Sequence, residues 1–377
     1  TGRYLMNKLP VIIVGGGPVG LSLATALTKM GVHIELFEAL PELSNEARAS
    51  TIHPATLEMF DSWGVVDAIL QRGHKIDRLQ YWDREQMKLI AECEYKLIAG
   101  DTPYPYRLQC PQNIVTRTLL PFVEKTGLGN VHFSHRLISF KELEDCVEAT
   151  FDTPNGKKTI QGSYLCGTDG ARSAVRKQLG FGFTGSTYED RFLLIPTSLD
   201  LRPHLPGLAG ASYFFSPKEW VIILHLPDLT RVVFRVNDDQ DIQEIQQPNN
   251  IRHRIKNFLP VDIDYEIYKP SIYSVHQRVV DHFRQGRVIL AGDSAHLNNP
   301  LGGMGMNSGI HDAYYLAQKL KAVLKGGSDE LLDDYCQTRR QAATQHVHIV
   351  SDKNYHNLTA KQDAQRHARN MELHAIS

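Results

Sequence analysis

The sequence predicts a mixed α/β (α+β) fold, and three stretches carry this prediction. An apolar, β-branched run at 10–14 is followed by a glycine-rich turn and then by apolar residues at helical spacing. A second strand-like run, Val32–Phe37, ends at an acidic residue. A third apolar run, at 288–291, again leads into a glycine-rich loop and a segment with helical periodicity. Such strand–turn–helix units indicate an α/β core.

Composition and length are those of a globular protein with room for two domains. The chain has 377 residues, of which 42% are apolar and 22% charged, so disorder is not expected. The net charge of −1 comes from scattered charges, which leaves no electrostatic footprint for nucleic acid. Five widely spaced cysteines without a CxxC pair argue against a disulfide framework or a zinc site. They indicate a reducing compartment, so we expect a cytoplasmic protein.

The first glycine-rich turn fits a dinucleotide-binding fingerprint. Gly15, Gly17 and Gly20 form GxGxxG between a strand and a helix, and Glu38 ends the next strand. In this pattern the first glycine permits the tight turn, the second lets a pyrophosphate approach, and the third allows close helix packing. Glu38 can accept the hydroxyl groups of an adenosine ribose. Because these glycines would break a helix, the charge-free run at 10–28 is not predicted to be a transmembrane segment.

The glycine-rich stretch near the C-terminus has the features of a second ligand contact. Gly292 and Asp293 follow the strand at 288–291, and a loop with Pro300 and several glycines leads into helical periodicity from 310 to 320. An acidic group at a strand end and glycines at a helix N-terminus suit a ligand that hydrogen-bonds the backbone. The bland interpretation is an ordinary strand–loop–helix connection in which the aspartate is a surface residue or a helix N-cap.

The remaining elements follow in order along the chain. A helix is predicted to end near Leu70 after a polar segment from Asn45, and another begins within 109–120. Further helices are predicted after Asp169, at 241–258 and in the polar, His-rich tail at 351–377. Strand-like runs occupy residues 81–94, 97–98, 131–133, 137–140, 146–151, 159–165, 192–199, 211–215, 220–226 and 232–236.

Three motifs, in this order and spacing, resemble those of the class A FAD-dependent aromatic hydroxylases, the flavoprotein monooxygenases of the p-hydroxybenzoate hydroxylase and phenol hydroxylase type. They are GGGPVG with Glu38, GTDGARSAVR at 167–176 and AGDSAHLNNPLGGMGMN at 291–307. Two more stretches, ARASTIHPATLEMF and YPYRLQCPQNIVTRTLL, resemble segments of the phenol hydroxylase branch. The resemblance extends to about Arg340, and we expect no thioredoxin-like C-terminal domain.

The resemblance implies a GR2-type, Rossmann-like FAD-binding domain that is interrupted by a β-sheet substrate domain. The discontinuous FAD-binding domain would consist of residues 1–74, 103–181 and 278–350. The substrate domain would take 75–102 and 182–277, and 351–377 would form a C-terminal helical tail. Since the glycine fingerprint suits NAD and FAD alike, the choice of FAD rests on the resemblance.

The resemblance also implies which residues contact FAD. Asp293 would hydrogen-bond the ribityl chain, and the loop from Pro300 would lie beside the flavin, where a helix N-terminus stabilises negative charge. Instead of a role near the cofactor, Ser173 could be a simple helix cap and Arg176 a solvated charge. The full predicted set is Gly15, Gly17, Pro18, Val19, Gly20, Glu38, Ala39, Arg48, Gln112, Asp169, Asp293, Pro300, Gly303, Gly305, Met306 and Asn307.

The implied activity is hydroxylation of a phenolic or hydroxylated N-heteroaromatic compound. An enzyme of this family takes hydride from NADH or NADPH, which binds transiently, and uses O2 through a C4a-hydroperoxide of the flavin. We expect a monomer or homodimer. A rival hypothesis keeps the fold but has a larger substrate, such as an antibiotic, polyketide or quinone precursor. Two further hypotheses are a non-oxygenating flavin reductase and a flavoprotein that only binds a ligand.

The catalytic candidates are His225, Tyr213 and Pro300, because a phenolate is a better nucleophile than a phenol and a base or proton relay would therefore raise the rate. Strand alternation gives His225 the same face as Val221 and Ile223, so it could equally be an ordinary core or surface histidine. Two more sheet residues, Tyr81 and Arg231, are weaker candidates. No metal site is predicted, since the tail histidines lie at spacings that point them apart on a helix.

Overall fold

The computed structural model describes residues 9–237, 239–360 and 362–376. The start of the predicted segment 1–74 and the last residue of the tail lie outside these ranges. Among the described residues, no helix is both long and apolar enough to cross a membrane. The α-helices are α1 Pro18–Lys29, α2 Pro54–Ser62, α3 Val66–Leu70, α4 Gln112–Lys125, α5 Ala174–Leu179, α6 Ile242–Ile245, α7 Pro248–Phe258, α8 Met304–Leu324, α9 Glu330–Gln341, α10 His348–Thr359 and α11 Asp363–Ala375, with a π-helical segment, Ala342–Val347, between α9 and α10.

The strands form two large and two small sheets. Their bounds are β1 Val11–Val14, β2 Ile34–Phe37, β3 Thr51–Ile52, β4 His74–Ile76, β5 Arg78–Asp83, β6 Lys88–Glu94, β7 Arg107–Gln109, β8 Gly129–His132, β9 Arg136–Glu142, β10 Val147–Thr153, β11 Gly156–Gly162, β12 Tyr164–Gly167, β13 Phe183–Thr197, β14 Ala211–Phe215, β15 Val221–His225, β16 Thr230–Val236, β17 Ser271–Val280, β18 Arg284–Gln285, β19 Val288–Leu290 and β20 His296–Leu297. The small sheets are β9–β10–β11 and β3–β7–β4.

The first large sheet has six strands in the order β18-β19-β12-β1-β2-β8 and is parallel except at its β18 edge. Its central strand β1 reads Val-Ile-Ile-Val and is buried throughout, as expected for a strand covered on both faces. Helix α1 packs against α4 and α8. The strand order reverses beside β1, where open α/β sheets bind ligands at the carboxyl ends of the strands.

The second large sheet has eight strands in the order β20-β17-β13-β16-β15-β14-β5-β6. It takes β5 and β6 from the first predicted segment of the substrate domain and most of its remaining strands from the second. One face packs on α7, whose Ile251, Ile255 and Phe258 join a core cluster with Phe214 and further residues of that face. The opposite face carries Tyr213 and Ile222, and we call it the inner face.

The tail helices α10 and α11 cover part of the inner face. Leu358 and Leu373 are buried in one apolar cluster with Tyr213 and Phe215. The Arg369 guanidinium lies 4.1 Å from the centroid of the Phe215 ring, a cation–π contact that fixes α11 over the sheet. The His-rich tail is therefore packed against the body of the protein by apolar and aromatic contacts.

The α/β prediction is confirmed, and three local predictions are wrong. Residues 97–98 lie in a 3-10 turn because the hairpin partner of β6 has already ended, and Leu97 is 69% exposed. The helix predicted to reach Leu70 is interrupted at Gly64, whose φ is +74°. The helix predicted at 241–258 is two helices, since Pro248 begins a new one.

One buried carboxylate connects the elements around the second glycine-rich stretch. Asp312 on α8 accepts hydrogen bonds from the Gly292 amide at 2.9 Å, His296 Nε2 at 2.7 Å and Arg339 Nε at 2.6 Å. Burial alone would raise the pKa of Asp312, but His296 and Arg339 outweigh it and lower the pKa to about 2. Because the pKa is lowered, this contribution to stability is present above pH ~4 and is lost as the pH falls through about 2.

We expect Asp312→Ala to lower the free energy of unfolding by about 3–5 kcal/mol, because it leaves His296 and Arg339 buried without their partner. Asp333→Ala removes a surface ion pair with Arg284 and should cost less than about 1 kcal/mol. Urea unfolding followed by circular dichroism measures both. Equal midpoints for the two variants would show that the Asp312 network does not support the fold.

Candidate active site

The first glycine-rich turn is shaped by contacts that leave no room for a side chain at two positions. Gly15 has φ +107°, and a Cβ on it would lie 2.6 Å from the Thr168 carbonyl oxygen. A Cβ on Gly20 would lie 1.9 Å from the Gly15 carbonyl oxygen, so α1 starts in close contact with the turn. A Cβ on Gly17 would meet no atom within 4 Å. The turn is therefore tight on its protein side and open on the side where a pyrophosphate would lie.

Glu38 is held beside this turn at the end of β2. Its Oε2 accepts a hydrogen bond from the Gly16 amide at 2.7 Å, and its Oε1 accepts one from the Leu40 amide at 2.8 Å. Each carboxylate oxygen has a second lone pair, so these bonds orient the group and leave acceptor capacity for ribose hydroxyls. Ala39 lies between these residues and is half-buried.

The motif at 167–176 places Asp169 next to the same turn and at the start of α5. Its Oδ2 accepts from the Ala174 amide at 2.7 Å, and its Oδ1 accepts from the Ser173 hydroxyl at 2.5 Å. Ser173 caps the helix by accepting from the Arg176 amide at 2.9 Å. Arg176 is buried, lies 4.0 Å from the Phe183 ring centroid and donates to the Ser294 carbonyl. The solvated-charge interpretation of Arg176 is wrong, whereas Ser173 is a helix cap.

Asp293 projects into the crevice from the end of β19. Its side chain is exposed and makes no hydrogen bond or ion pair with another residue of the described ranges. The surrounding protein nevertheless desolvates it and raises its pKa, an effect that His296 and Arg48 oppose. Arg48 is held by the Arg231 guanidinium, which donates to the Arg48 carbonyl at 2.8 Å. Asp293 is thus an unpartnered carboxylate with a guanidinium nearby, and that guanidinium is itself paired with Glu46 at 2.9 Å.

The segment Leu297–Gly303, which we call the flavin loop, ends at the N-terminus of α8. The helix begins at Met304, earlier than predicted, so Gly303 is its N-cap and Gly305 lies in its first turn. No side chain caps it, and the first amide groups are free to bind a ligand. Pro300 is exposed on the loop, and Met306 is buried beneath it.

Asn307 has a structural role in this arrangement. Its Oδ1 accepts from the His53 amide at 2.9 Å and from the Thr56 hydroxyl at 2.6 Å. Its Nδ2 donates to the Thr51 carbonyl at 2.8 Å and to the Gly303 carbonyl at 2.6 Å. Since every hydrogen-bonding site of the amide is occupied, a contact to the cofactor can come only from its backbone.

The remaining predicted residues lie near the same segments. Val19 packs against Gly292 and Gly309, at both of which a Cβ would clash with it, and Pro18 begins α1. Gln112 begins α4, and its amide is bound to the Ala49 carbonyl at 2.8 Å, which places it beside the Arg48 segment. The open Gly17, the unpartnered Asp293 and the uncapped α8 are three features that a bound dinucleotide would complete, so these residues fit FAD.

The inner face of the second sheet forms the opposite wall. Tyr213 pairs with Tyr81 across β14 and β5, and their ring centroids are 5.8 Å apart. Burial raises the pKa of Tyr81 above its usual range, so its hydroxyl remains neutral. Leu301 of the flavin loop joins the same apolar cluster as Tyr213. The flavin loop therefore packs against the apolar cluster of the inner face.

Arg107 and His53 are site residues that the sequence analysis missed. The Arg107 guanidinium lies 5.8 Å from the centroid of the Tyr95 ring and interacts electrostatically with Tyr95 and Tyr213, and no carboxylate of the described chain forms an ion pair with it. His53 Nε2 lies 2.8 Å from the Gly302 carbonyl oxygen, an acceptor, so this nitrogen carries the proton. Burial, and then Arg107, lower the pKa of His53 to about 3. His53 is therefore a neutral donor that holds the flavin loop near a buried cation.

His225 and Tyr213, two of the three catalytic candidates, lie on opposite faces of the second large sheet. Tyr213 pairs with Ile222 and shares the inner face with it, whereas His225 projects from the opposite face with Val221 and Ile223. Its Nε2 is 3.5 Å from Asp200, and burial lowers its pKa to about 4. Within the described ranges, no group of three or more His, Cys, Asp or Glu side chains could hold a metal ion.

The fold and this crevice define a family of FAD-dependent enzymes. A family model described as an FAD binding domain matches residues 8–350, most of the chain. The chain belongs to this family, and it is a flavoprotein monooxygenase of the class A aromatic hydroxylases. The resemblance inferred from the three motifs is thereby confirmed.

Relatives of similar length share nearly the whole chain. It is 32% identical to para-nitrophenol 4-monooxygenase of Pseudomonas sp. strain WBC-3, over 94% of this chain and 89% of that protein. It is 30% identical to 6-hydroxy-3-succinoylpyridine 3-monooxygenase of Pseudomonas putida, over 93% and 89%. The crystal structure of p-nitrophenol 4-monooxygenase from Pseudomonas putida DLL-E4 superposes with a TM-score of 0.92, 32% identity and coverage of 97% and 93%.

We expect Gly17→Val to fold but to lose FAD, because its side chain would fill open space where the cofactor fits. Steric overlap of about 1–3 kcal/mol weakens binding roughly 5- to 150-fold. Gly100→Val is the matched control, since a Cβ on Gly100 also meets no atom within 4 Å but lies on another surface. Flavin absorbance of the purified proteins measures FAD content, and full retention by Gly17→Val would contradict this site.

Proposed function

We propose that the chain uses NADH or NADPH and O2 to place one oxygen atom on a phenolic or hydroxylated N-heteroaromatic ring. The ring would lie between the flavin loop and the inner face, near Tyr213 and Arg107. When bound, FAD supplies the redox chemistry that activates O2. The residues of the chain would bind and orient the ring, exclude water and control the proton of its hydroxyl group.

The observation that carries this proposal is the environment of Arg107. A guanidinium is always protonated, and the groups that interact electrostatically with this one are the tyrosine side chains of Tyr95 and Tyr213. Burial raises the pKa of Tyr95, so that partner is a neutral hydroxyl. A cation whose only partners are neutral, as those of Arg107 are here, can stabilise an anion that binds beside it. A phenolate is the anion that this reaction class requires, because it is the stronger carbon nucleophile.

A single-ring substrate is favoured over a larger one. The two relatives that match this chain in length are a nitrophenol and a hydroxypyridine monooxygenase by name. By contrast, aklavinone-11 hydroxylase, with a TM-score of 0.84 and 28% identity, is longer, since this chain covers only 69% of it. The inner face is also partly covered by Leu358 and Leu373 of the tail helices, which limits the space beside Tyr213.

We expect the purified yellow protein to oxidise NADH or NADPH in air faster when one member of a panel of phenols and hydroxypyridines is present. Mass spectrometry should then show that this compound has gained one oxygen atom. A gain of two hydrogens would instead identify a flavin reductase. If no compound stimulates turnover while FAD is bound, the single-ring proposal fails and larger substrates are next to test.

We expect Arg107→Met to raise the pKa of a bound phenol by about 1–3 units, because it removes a cation close to the hydroxyl group. Arg107→Lys retains the charge and should keep most of the shift. Absorbance titration of bound 4-nitrophenol, without NAD(P)H, reports its ionisation directly. The same bound pKa in the wild type and Arg107→Met would rule out this role of Arg107.

A further inference from the structure

Helix α10 of the tail lies along the flavin loop. At one end, His348 Nε2 is 3.2 Å from the Leu297 carbonyl oxygen. Further along the helix, Asn354 Nδ2 lies only 2.8 Å from the point that a Cβ on Gly302 would occupy. Ser351, between these two contacts, is fully buried. The helix therefore contacts the flavin loop at two places, Leu297 and Gly302.

Two polar contacts fix α10 to the sheet as well. The Tyr188 hydroxyl donates to Asp352 Oδ1 at 2.8 Å and accepts from Asn299 Nδ2 of the flavin loop at 3.4 Å. The Tyr355 hydroxyl donates to Asp190, which is also paired with Arg235 at 2.8 Å. Burial is the main cause that raises the pKa of Tyr188, to about 12, so this hydroxyl stays a donor at neutral pH.

Helix α10 also reaches the strand that carries Tyr213. It contacts β14, and Leu358, one turn beyond Asn354, is 1% exposed within the inner-face cluster. Since the same helix touches Gly302 at Asn354 and the sheet at Leu358, it forms the wall that connects the flavin loop to the inner face. Most of this helix, including Asn354 and Leu358, follows the part of the chain that the family model matches, which ends at residue 350.

Asn354 is a polar group of this wall without a hydrogen-bond partner among the described residues, and the buried Ser351 hydroxyl is another. The Asn354 side chain is half-buried and forms no hydrogen bond with any residue in the described ranges. Neighbouring Asp352 and Tyr355, by contrast, are occupied by Tyr188 and Asp190. A primary amide offers two donors and an acceptor, and those of Asn354 are not buried, so they are accessible to a ligand.

We propose that Asn354 is a specificity-determining residue, whose amide hydrogen-bonds a polar substituent on the aromatic ring of the substrate. The proposal rests on the proposed function, because it assumes that the ring lies between the flavin loop and the inner face. In this arrangement the ring hydroxyl points toward Arg107 and Tyr213, and a second polar group of the ring points toward α10. Substrates with such a group, for example a nitro or carbonyl group, would be preferred over those with a methyl group.

The test compares Asn354→Leu with Asn357→Leu, which makes the same change three residues further along α10. Asn357 serves as the control because it lies toward α11, where its backbone carbonyl accepts a hydrogen bond from the Arg369 guanidinium at 2.9 Å. Pairs of phenols that carry nitro or methyl at the same ring position are bound to the oxidised enzyme and followed by the change in flavin absorbance. We expect Asn354→Leu to weaken the nitro compound roughly 5- to 10-fold and to leave its methyl partner nearly unchanged. Asn357→Leu should alter neither.

The proposal is overturned if Asn354→Leu leaves the nitro-to-methyl preference as it is in the wild type, whether both affinities fall together or neither changes. It is also overturned if Asn357→Leu shifts the preference equally, since that would indicate a general effect of α10. Failure of the proposed function is a separate result. It would appear in the wild type, as a protein with bound FAD that oxygenates no compound of the panel.

Discussion

The Asp312 carboxylate is the constraint on which the geometry of the site depends. It lies on α8 and binds the backbone at the end of β19, the histidine that precedes the flavin loop and an arginine of α9. Asp293 directly follows Gly292, whose amide donates a hydrogen bond to Asp312. The N-terminus of α8, at Met304, is about two helical turns from Asp312. A group with zero exposure thus positions both of the elements that face the cofactor.

The flavin loop is held from two further directions, and this links the FAD site to the substrate wall. His53 binds the Gly302 carbonyl from the side of the first large sheet, whereas α10 contacts the loop at Leu297 and Gly302 from the tail side. Arg107 lies close enough to His53 to lower its pKa. Changes at the substrate wall can therefore reach the loop through direct contacts, without movement of either large sheet.

Local rules predicted the fold class and most of the elements, because each element depends on neighbouring residues. The glycines at 15 and 20 have backbone roles that follow from their spacing alone, and the carboxyl ends of parallel strands must meet at one edge. The substrate wall was harder to predict from the sequence. Alternation along β15 separated His225 from Ile222 but could not say which face is the inner one. Arg107 was missed because its tyrosine partners come from distant segments, and Asn354 because a polar tail does not reveal where it packs.

Turnover under ¹⁸O2 tests the central claim most directly, because it asks whether oxygen from O2 enters the ring. With the compound that most stimulates NAD(P)H oxidation, we predict a product that carries one ¹⁸O atom. One molecule of this product should form for each NAD(P)H oxidised. A product that contains oxygen only from water, or an unchanged compound despite NAD(P)H oxidation, would contradict it.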